Sequence, residues 1–258
     1  MNYYLTLALV LFIYMSLAFA LAVIKKRNDL ADVAWGLGFV LMAWASFVIF
    51  GHAGLRGLVV GTLVSVWGLR LAWHIYARHR GKAEDYRYLA WRKAWGKWFY
   101  LRSYLQVYLF QGVLLYLISI PILLINHSAG PSLGWLDLAG ILVWLIGFYF
   151  EAVGDAQLAR FTRDPANKGK LMQSGLWRYS RHPNYFGEVT LWWGIWLIAL
   201  SVPYGFVGLI GPITITILIL KVSGISMLEK QMALKPGFAD YKRRTSVFVP
   251  WPRRNREY

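Results

Sequence analysis

Residues 3–27 read YYLTLALVLFIYMSLAFALAVIKKR. The apolar run from Tyr3 to Ile24 is followed at once by Lys25, Lys26 and Arg27. At about 1.5 Å per residue, such a run as a helix crosses a hydrocarbon core of about 30 Å. A cleaved signal peptide has the reverse polarity, basic residues first, so this stretch reads as a first membrane span. Working outward, further apolar runs cover about 31–50, 56–75, 104–125 (ending near Pro121), 135–156 and 185–222. Asp32 stands near the start of the second run, Arg70 interrupts the third, and Glu151 and Asp155 lie in the last turns of the fifth. The final block is long enough for two helices, with Pro203-Tyr204-Gly205 as the turn between them. Seven spans result. Only helices and closed barrels satisfy the backbone in lipid, and these lengths are helical, so an all-α bundle in one domain, 1–258, is expected.

Composition agrees. The chain of 258 residues is 58% hydrophobic and 16% charged, with a mean hydropathy of +0.44. That excludes a disordered chain and a collagen-like repeat. The absence of cysteine excludes disulfides and thiolate chemistry. A formal charge of +16 suits a nucleic acid, an anionic membrane or a phosphate-rich cofactor, and the placement of the charges decides between them. Lys and Arg cluster in 25–27, 76–103, 157–183 and 221–258; only Arg56 and Arg70 fall elsewhere. With seven spans these four segments share one side, as the bias of basic residues toward the cytoplasm requires. The expected topology therefore has the N-terminus outside, the C-terminus in the cytoplasm and the chain in the inner membrane.

Acids within spans are costly and commonly mark function. Asp32, Glu151, Asp155 and Glu188 all fall in or near the cytoplasmic ends of spans on this topology. Glu151 and Asp155, and likewise Asn184 and Glu188, are four apart and share a helix face. The arrangement suggests a polar pocket open to the cytoplasm; interfacial capping is the alternative for any one acid, Asp32 above all. The five His have no partner at ligand spacing within a helix, so no metal is expected. The 76–103 stretch lacks a Gly-x-Gly-x-x-Gly fingerprint, so a Rossmann site is not expected.

The most informative stretch is Gly175-Leu176-Trp177-Arg178-Tyr179-Ser180-Arg181-His182-Pro183-Asn184-Tyr185-Phe186-Gly187-Glu188. Pro183 suits the first turn of a helix, which places Arg178, Arg181 and His182 just before a helix N-terminus, a natural anion site. A basic anchor touching lipid headgroups is the competing reading. This stretch strongly resembles the C-terminal signature of the steroid 5α-reductase family, in particular its bacterial members of the DUF1295 type. Glu229, Phe238-Ala239-Asp240-Tyr241 and Val247-Phe248-Val249-Pro250 resemble the family's closing segment, and Asp155, Arg160 and Arg163 fit its preceding helix and loop. Over 28–103 the resemblance is carried by Asn28 to Gly36 and by Arg80 to Tyr88.

The resemblance implies a seven-helix membrane enzyme that uses NADPH to reduce the carbon–carbon double bond of a 3-oxo-Δ4 steroid. On the cofactor side it implies Asn184 and Glu188 at the nicotinamide, with Asp155 and Tyr185 nearby. Arg163, Arg178, Arg181, His182, Arg80 and Lys82 would serve the phosphates. Tyr241 would pack at the adenine, or anchor at the interface, and Arg244 or its neighbour Arg243 would meet the 2′-phosphate. On the substrate side Asp32 falls where the family has its catalytic acid. In an apolar pocket its protonated form would donate to the carbonyl oxygen, and Gly36 would leave room for a flat ring. The animal enzymes add a Tyr on the third span; here that span offers only Trp67 and Trp73, so Tyr108 with Gln111 on the fourth span is taken as the substitute. The implied partners are a steroid or other lipid-like enone and membrane lipid, with no nucleic acid and a monomeric state. Related membrane methyltransferases, which use S-adenosylmethionine, share an Arg-His-Pro-x-Tyr signature. They are the alternative, with a non-catalytic sterol binder as the third reading.

Overall fold

The computed structural model describes residues 2–51, 54–128 and 132–253. The chain is an all-α polytopic membrane protein. Six helical stretches are long and apolar enough to cross a bilayer: Tyr3–Lys25, Leu30–Phe50, Leu55–His79, Tyr86–His127, Trp135–Arg163 and Gly205–Met232. The first three are α1, α2 and α3. The fourth begins as α4 (Tyr86–Trp95) and passes through the single turn α5 (Phe99–Arg102) and a π-helical segment, Ser103–Leu109. It ends as α6 (Phe110–His127). The fifth is α7, Trp135–Arg163. The sixth comprises α9 (Ile210–Ile217), a second π-helical segment and α10 (Ile225–Met232). Exposed side chains such as Leu17, Ile24 and Val48 suit a surface facing acyl chains.

Three expectations change. The count of seven spans meets six, because α8 (Pro183–Ala199) has 17 residues, about 25 Å of helix. The 76–103 stretch is not a loop: α3 continues to His79 and α4 follows six residues later. Pro121 does not end the fourth span but lies buried within α6. Spanning helices tolerate proline where neighbouring groups or local adjustment satisfy the freed carbonyl.

The described residues form two compact units, one of 1–134 with 199–211 and one of 135–198 with 212–258. In the first, α2 packs against α1, α3 and α6. Phe39, Met42, Trp67 and Leu115 are buried, and the Phe39 and Trp67 rings meet edge to face at 5.4 Å. The backbones of α2 and α3 touch at Gly36 and Gly68: a Cβ on Gly36 would lie 2.7 Å from the Gly68 carbonyl oxygen. The space beside Gly36 is therefore filled by α3, not left for a flat ring.

The second unit is held by glycines at heptad spacing. Gly140, Gly147 and Gly154 of α7 lie seven residues apart and face Gly194, Gly187 and Asn184 of α8 and its first turn. Lipid supplies no hydrophobic drive between helices, so close backbone approach of small residues supplies packing instead. A Cβ on Gly187 would lie 2.3 Å from the Glu151 nitrogen and 2.4 Å from the Gly147 oxygen, both backbone atoms of the facing helix. Gly187→Ala is expected to force the helices apart, at about 1–3 kcal/mol, or more if they cannot move. In detergent its unfolding midpoint should fall by about 3–10 °C; an unchanged midpoint would show that this seam is not tightly packed.

Candidate functional site

In the first unit a polar network gathers at the start of α2 and α4. Asp32, in the first turn of α2, receives Arg87 Nη2 at 2.7 Å on one carboxylate oxygen and the Tyr88 hydroxyl at 2.9 Å on the other. Arg87 also donates to Asp85, and its guanidinium carbon lies 5.4 Å from the Tyr88 ring centroid. Burial alone would raise the Asp85 carboxyl, but the hydrogen bonds and charge of Arg87 outweigh it and hold the group below its ordinary value. Asp29 is chelated by Arg27 at 3.0 and 2.7 Å and accepts the Asp85 N–H. Glu84 accepts the Asn28 N–H at 2.6 Å and pairs with Arg92. The polar 79–92 segment is thus laced to the 27–32 turn, the reason it folds as α4 and not as a free loop.

Both Asp32 carboxyl oxygens accept from donors, one from the Arg87 guanidinium and the other from the Tyr88 hydroxyl. The Tyr108 hydroxyl donates to the Asn28 carbonyl at 3.2 Å rather than to Asp32. The π-helical turns that carry Tyr108 also break the regular spacing that placed it with Gln111, which is half-buried with Oε1 unpartnered. The tyrosine that the structure places beside Asp32 is Tyr88, on α4. It was missed because the segment read as a loop, although Asp85-Tyr86-Arg87-Tyr88 carried part of the resemblance. Asn28, one turn before Asp32, is 3% exposed, and its Nδ2 has no partner among the described residues. Arg80 and Lys82 are exposed, and the Lys82 carbonyl accepts from Arg27 at 3.1 Å.

In the second unit the segment before Pro183 does bind an anion, and the anion belongs to the chain. Arg181 grips Glu229 through Nε at 2.7 Å and Nη2 at 3.0 Å, and its Nη1 donates to the Thr245 and Lys242 carbonyls. Arg181 is 4% exposed. His182 Nε2 lies 3.2 Å from the same Glu229 oxygen, and its ring stacks on Tyr185 at 5.8 Å. Burial pushes the His182 imidazole below its ordinary range, against the pull of Glu229, so it serves as a neutral donor. Arg181 and His182 thus both engage Glu229 within the chain.

The same clasp binds the C-terminal segment. Ser180 Oγ donates to the Phe248 carbonyl, the Arg181 N–H to Ser246 and the Trp251 N–H to Tyr179. The Tyr241 hydroxyl donates to the Trp177 carbonyl at 2.6 Å from a fully buried position in α11 (Phe238–Arg244). Burial raises its phenol and keeps that proton in place. Tyr241 is a buried fastener, not an adenine platform or an interfacial anchor. Arg244 pairs with Asp240 at 3.1 Å.

The remaining residues stay suited to a ligand. Asn184 Nδ2 donates to Asp155 Oδ1 at 3.0 Å, while Asn184 Oδ1 is buried without a partner among the described residues. Glu188 follows one turn later, half-buried. Arg163 ends α7 and Arg178 precedes α8, both exposed.

The DUF1295 family, described as a protein of unknown function, matches residues 18–245. The chain belongs to the DUF1295 family. This DUF1295 protein is 27% identical over 215 residues to uncharacterized protein C594.04c of Schizosaccharomyces pombe, covering 72% of the chain and 61% of that protein. It is 32% identical over 73 residues to the steroid 5-alpha-reductase DET2 of Gossypium hirsutum, covering 28% of each. The chain thus spans less than two thirds of either relative. No solved structure matches it significantly.

Proposed function

We propose that this DUF1295 protein, acting as one integral-membrane domain, is an NADPH-dependent reductase of the conjugated double bond of a 3-oxo-Δ4 steroid or a similar cyclic enone lipid. The observation that carries the reading is the Asp32–Tyr88 hydrogen bond, backed by Arg87 and flanked by the unpartnered Asn28 amide. The partial similarity to a steroid 5-alpha-reductase supports the same chemistry.

Reduction of an enone places an electron pair on its carbonyl oxygen, which then needs donors. Asn28 Nδ2 supplies one without giving up another bond. Tyr88 supplies the second and delivers the proton, turning its hydroxyl from Asp32 to the oxygen. Asp32 orients that hydroxyl and is itself fixed by Arg87. The cation over the Tyr88 ring stabilises the phenolate left behind. Asp32 is thereby reassigned from proton donor to positioning residue.

A nicotinamide suits the second unit on one structural ground: its carboxamide NH₂ matches the buried, unpartnered Asn184 Oδ1. Asp155 orients the Asn184 amide, and Glu188 would accept a second carboxamide proton. Arg163 and Arg178 would meet the phosphates. NADPH, when bound, supplies the hydride. The substrate reaches the site from the membrane, and the protein acts as a monomer.

The test is incubation of purified protein in detergent with NADPH and a 3-oxo-Δ4 steroid, read by mass spectrometry. The expected product has gained one dihydrogen. A product that has gained one methylene, formed only with S-adenosylmethionine, would replace this reading with the methyltransferase.

The proposed topology counts α8 as a short seventh span, with the N-terminus outside and the basic segments in the cytoplasm of a bacterial-type inner membrane. Single cysteines at Ser128 and Ser246, in a chain without native cysteine, should label from opposite faces. Labelling from one face would overturn the count.

A further inference from the structure

The C-terminal segment of the second unit lines an open cavity of about 410 Å³, and neither Asn184 nor Asp155 is among its lining residues. Its floor is Arg181 and Thr245, both buried. The Arg181 charge is already matched by Glu229. The lining also includes Lys242 and Arg243, both exposed, the half-buried Arg244, and Trp251, 66% exposed. Arg243 reaches Asp240 at 3.3 Å, an exposed pair of little strength that leaves its other donors for an incoming anion. Val247, also in the lining, is 41% exposed, and Val249 two residues on is 54% exposed. The indole does not trail on a loose chain, because the Trp251 N–H is bonded to Tyr179 at 3.0 Å. Three further arginines, Arg253, Arg254 and Arg256, follow in the sequence.

Two properties coincide here that a water-soluble anion does not require together. Cations in the lining suit a phosphate. Exposed valines and an indole on a fixed backbone suit the boundary between headgroup and acyl chain, where Trp is enriched in membrane proteins. We propose that this cavity is a headgroup site for an anionic phospholipid, with Lys242 and Arg243 on the phosphodiester and Trp251 against the glycerol–acyl boundary. Anionic leaflets attract such basic segments over about a Debye length, and the cavity adds a defined seat. The bound lipid would fasten the Thr245–Trp251 strand, whose hydrogen bonds hold the 178–181 turn.

The experiment equilibrates the full chain in mixed micelles with equal amounts of dioleoylphosphatidylglycerol and dioleoylphosphatidylcholine, and reads retained lipid by native mass spectrometry. The wild type should retain the anionic lipid preferentially. The double variant Lys242→Gln with Trp251→Ala should lose about tenfold in that preference, and Lys242→Arg with Trp251→Phe should keep it. Both substituted side chains are exposed, and an unchanged melting temperature checks that each variant is folded. An NADPH titration and a competition with inorganic phosphate run alongside. Displacement of the lipid by millimolar phosphate, or unchanged preference in the double variant, would overturn the proposal. So would loss of NADPH affinity with lipid retention intact, which would assign the cavity to a nucleotide phosphate.

Discussion

Tyr88→Phe should lower enone turnover by about 100- to 1,000-fold, the usual effect of removing one donor from a developing oxyanion, while the protein stays folded. The substitution removes only the hydroxyl that reaches Asp32 at 2.9 Å. The ring keeps its edge-to-face contact with Trp91 at 5.3 Å and its place near Arg87. Loss of one hydrogen bond costs about 1 kcal/mol in stability, so the melting temperature should move little. NADPH affinity should also hold, since the proposed role is on the substrate side. Asp32→Asn distinguishes the two roles in the pair. It preserves shape but replaces the carboxylate that Arg87 grips, so stability and turnover should both fall, and turnover should fall less than in Tyr88→Phe. A Tyr88→Phe enzyme of normal turnover and reduced melting temperature would make the network a structural brace and end its catalytic assignment.

Glu229→Ala should be the most destabilising single change in the C-terminal segment. It leaves the Arg181 guanidinium, 4% exposed, without its counter-charge and His182 without its acceptor. Breaking a buried ion pair from one side costs about 3–5 kcal/mol, which in a chain of this size is about 6–20 °C of melting temperature. Glu229→Gln keeps one acceptor oxygen and should recover part of the loss. The same variants test whether the segment before Pro183 holds a cofactor phosphate. If Arg181 and His182 are structural, NADPH should raise the melting point of Glu229→Gln by the same increment as the wild type. If they are phosphate ligands held in reserve, removing the internal anion should tighten NADPH instead. A Glu229→Ala protein as stable as the wild type would dissolve the clasp altogether.

Membrane spanning was legible in the chain because it follows from local quantities. The 22-residue run from Tyr3 to Ile24 needs no partner to favour lipid, and the first three expected spans match helices within a few residues. Heptad glycines at 140, 147 and 154 were present to be read but went unread: a small residue signals a contact only when its facing residues, Gly187 and Gly194, are known. The signature at 175–188 marked a segment of charges next to a helix start but not their partner within the chain. Guanidinium groups next to a helix start attract an anion whatever its source. Forty-eight residues of chain separate Arg181 from Glu229, and only folding brings that carboxylate to it. The same applies at Asp32. Its position in the first turn of α2 follows from the local pattern, but its hydrogen-bond partners, Arg87 and Tyr88, come from more than fifty residues on. Hydropathy and charge order act along the chain, so the sequence determined that this protein is helical and embedded in a membrane. Hydrogen-bond partners depend on distances of about 3 Å between remote residues, and those were decided by the tertiary structure.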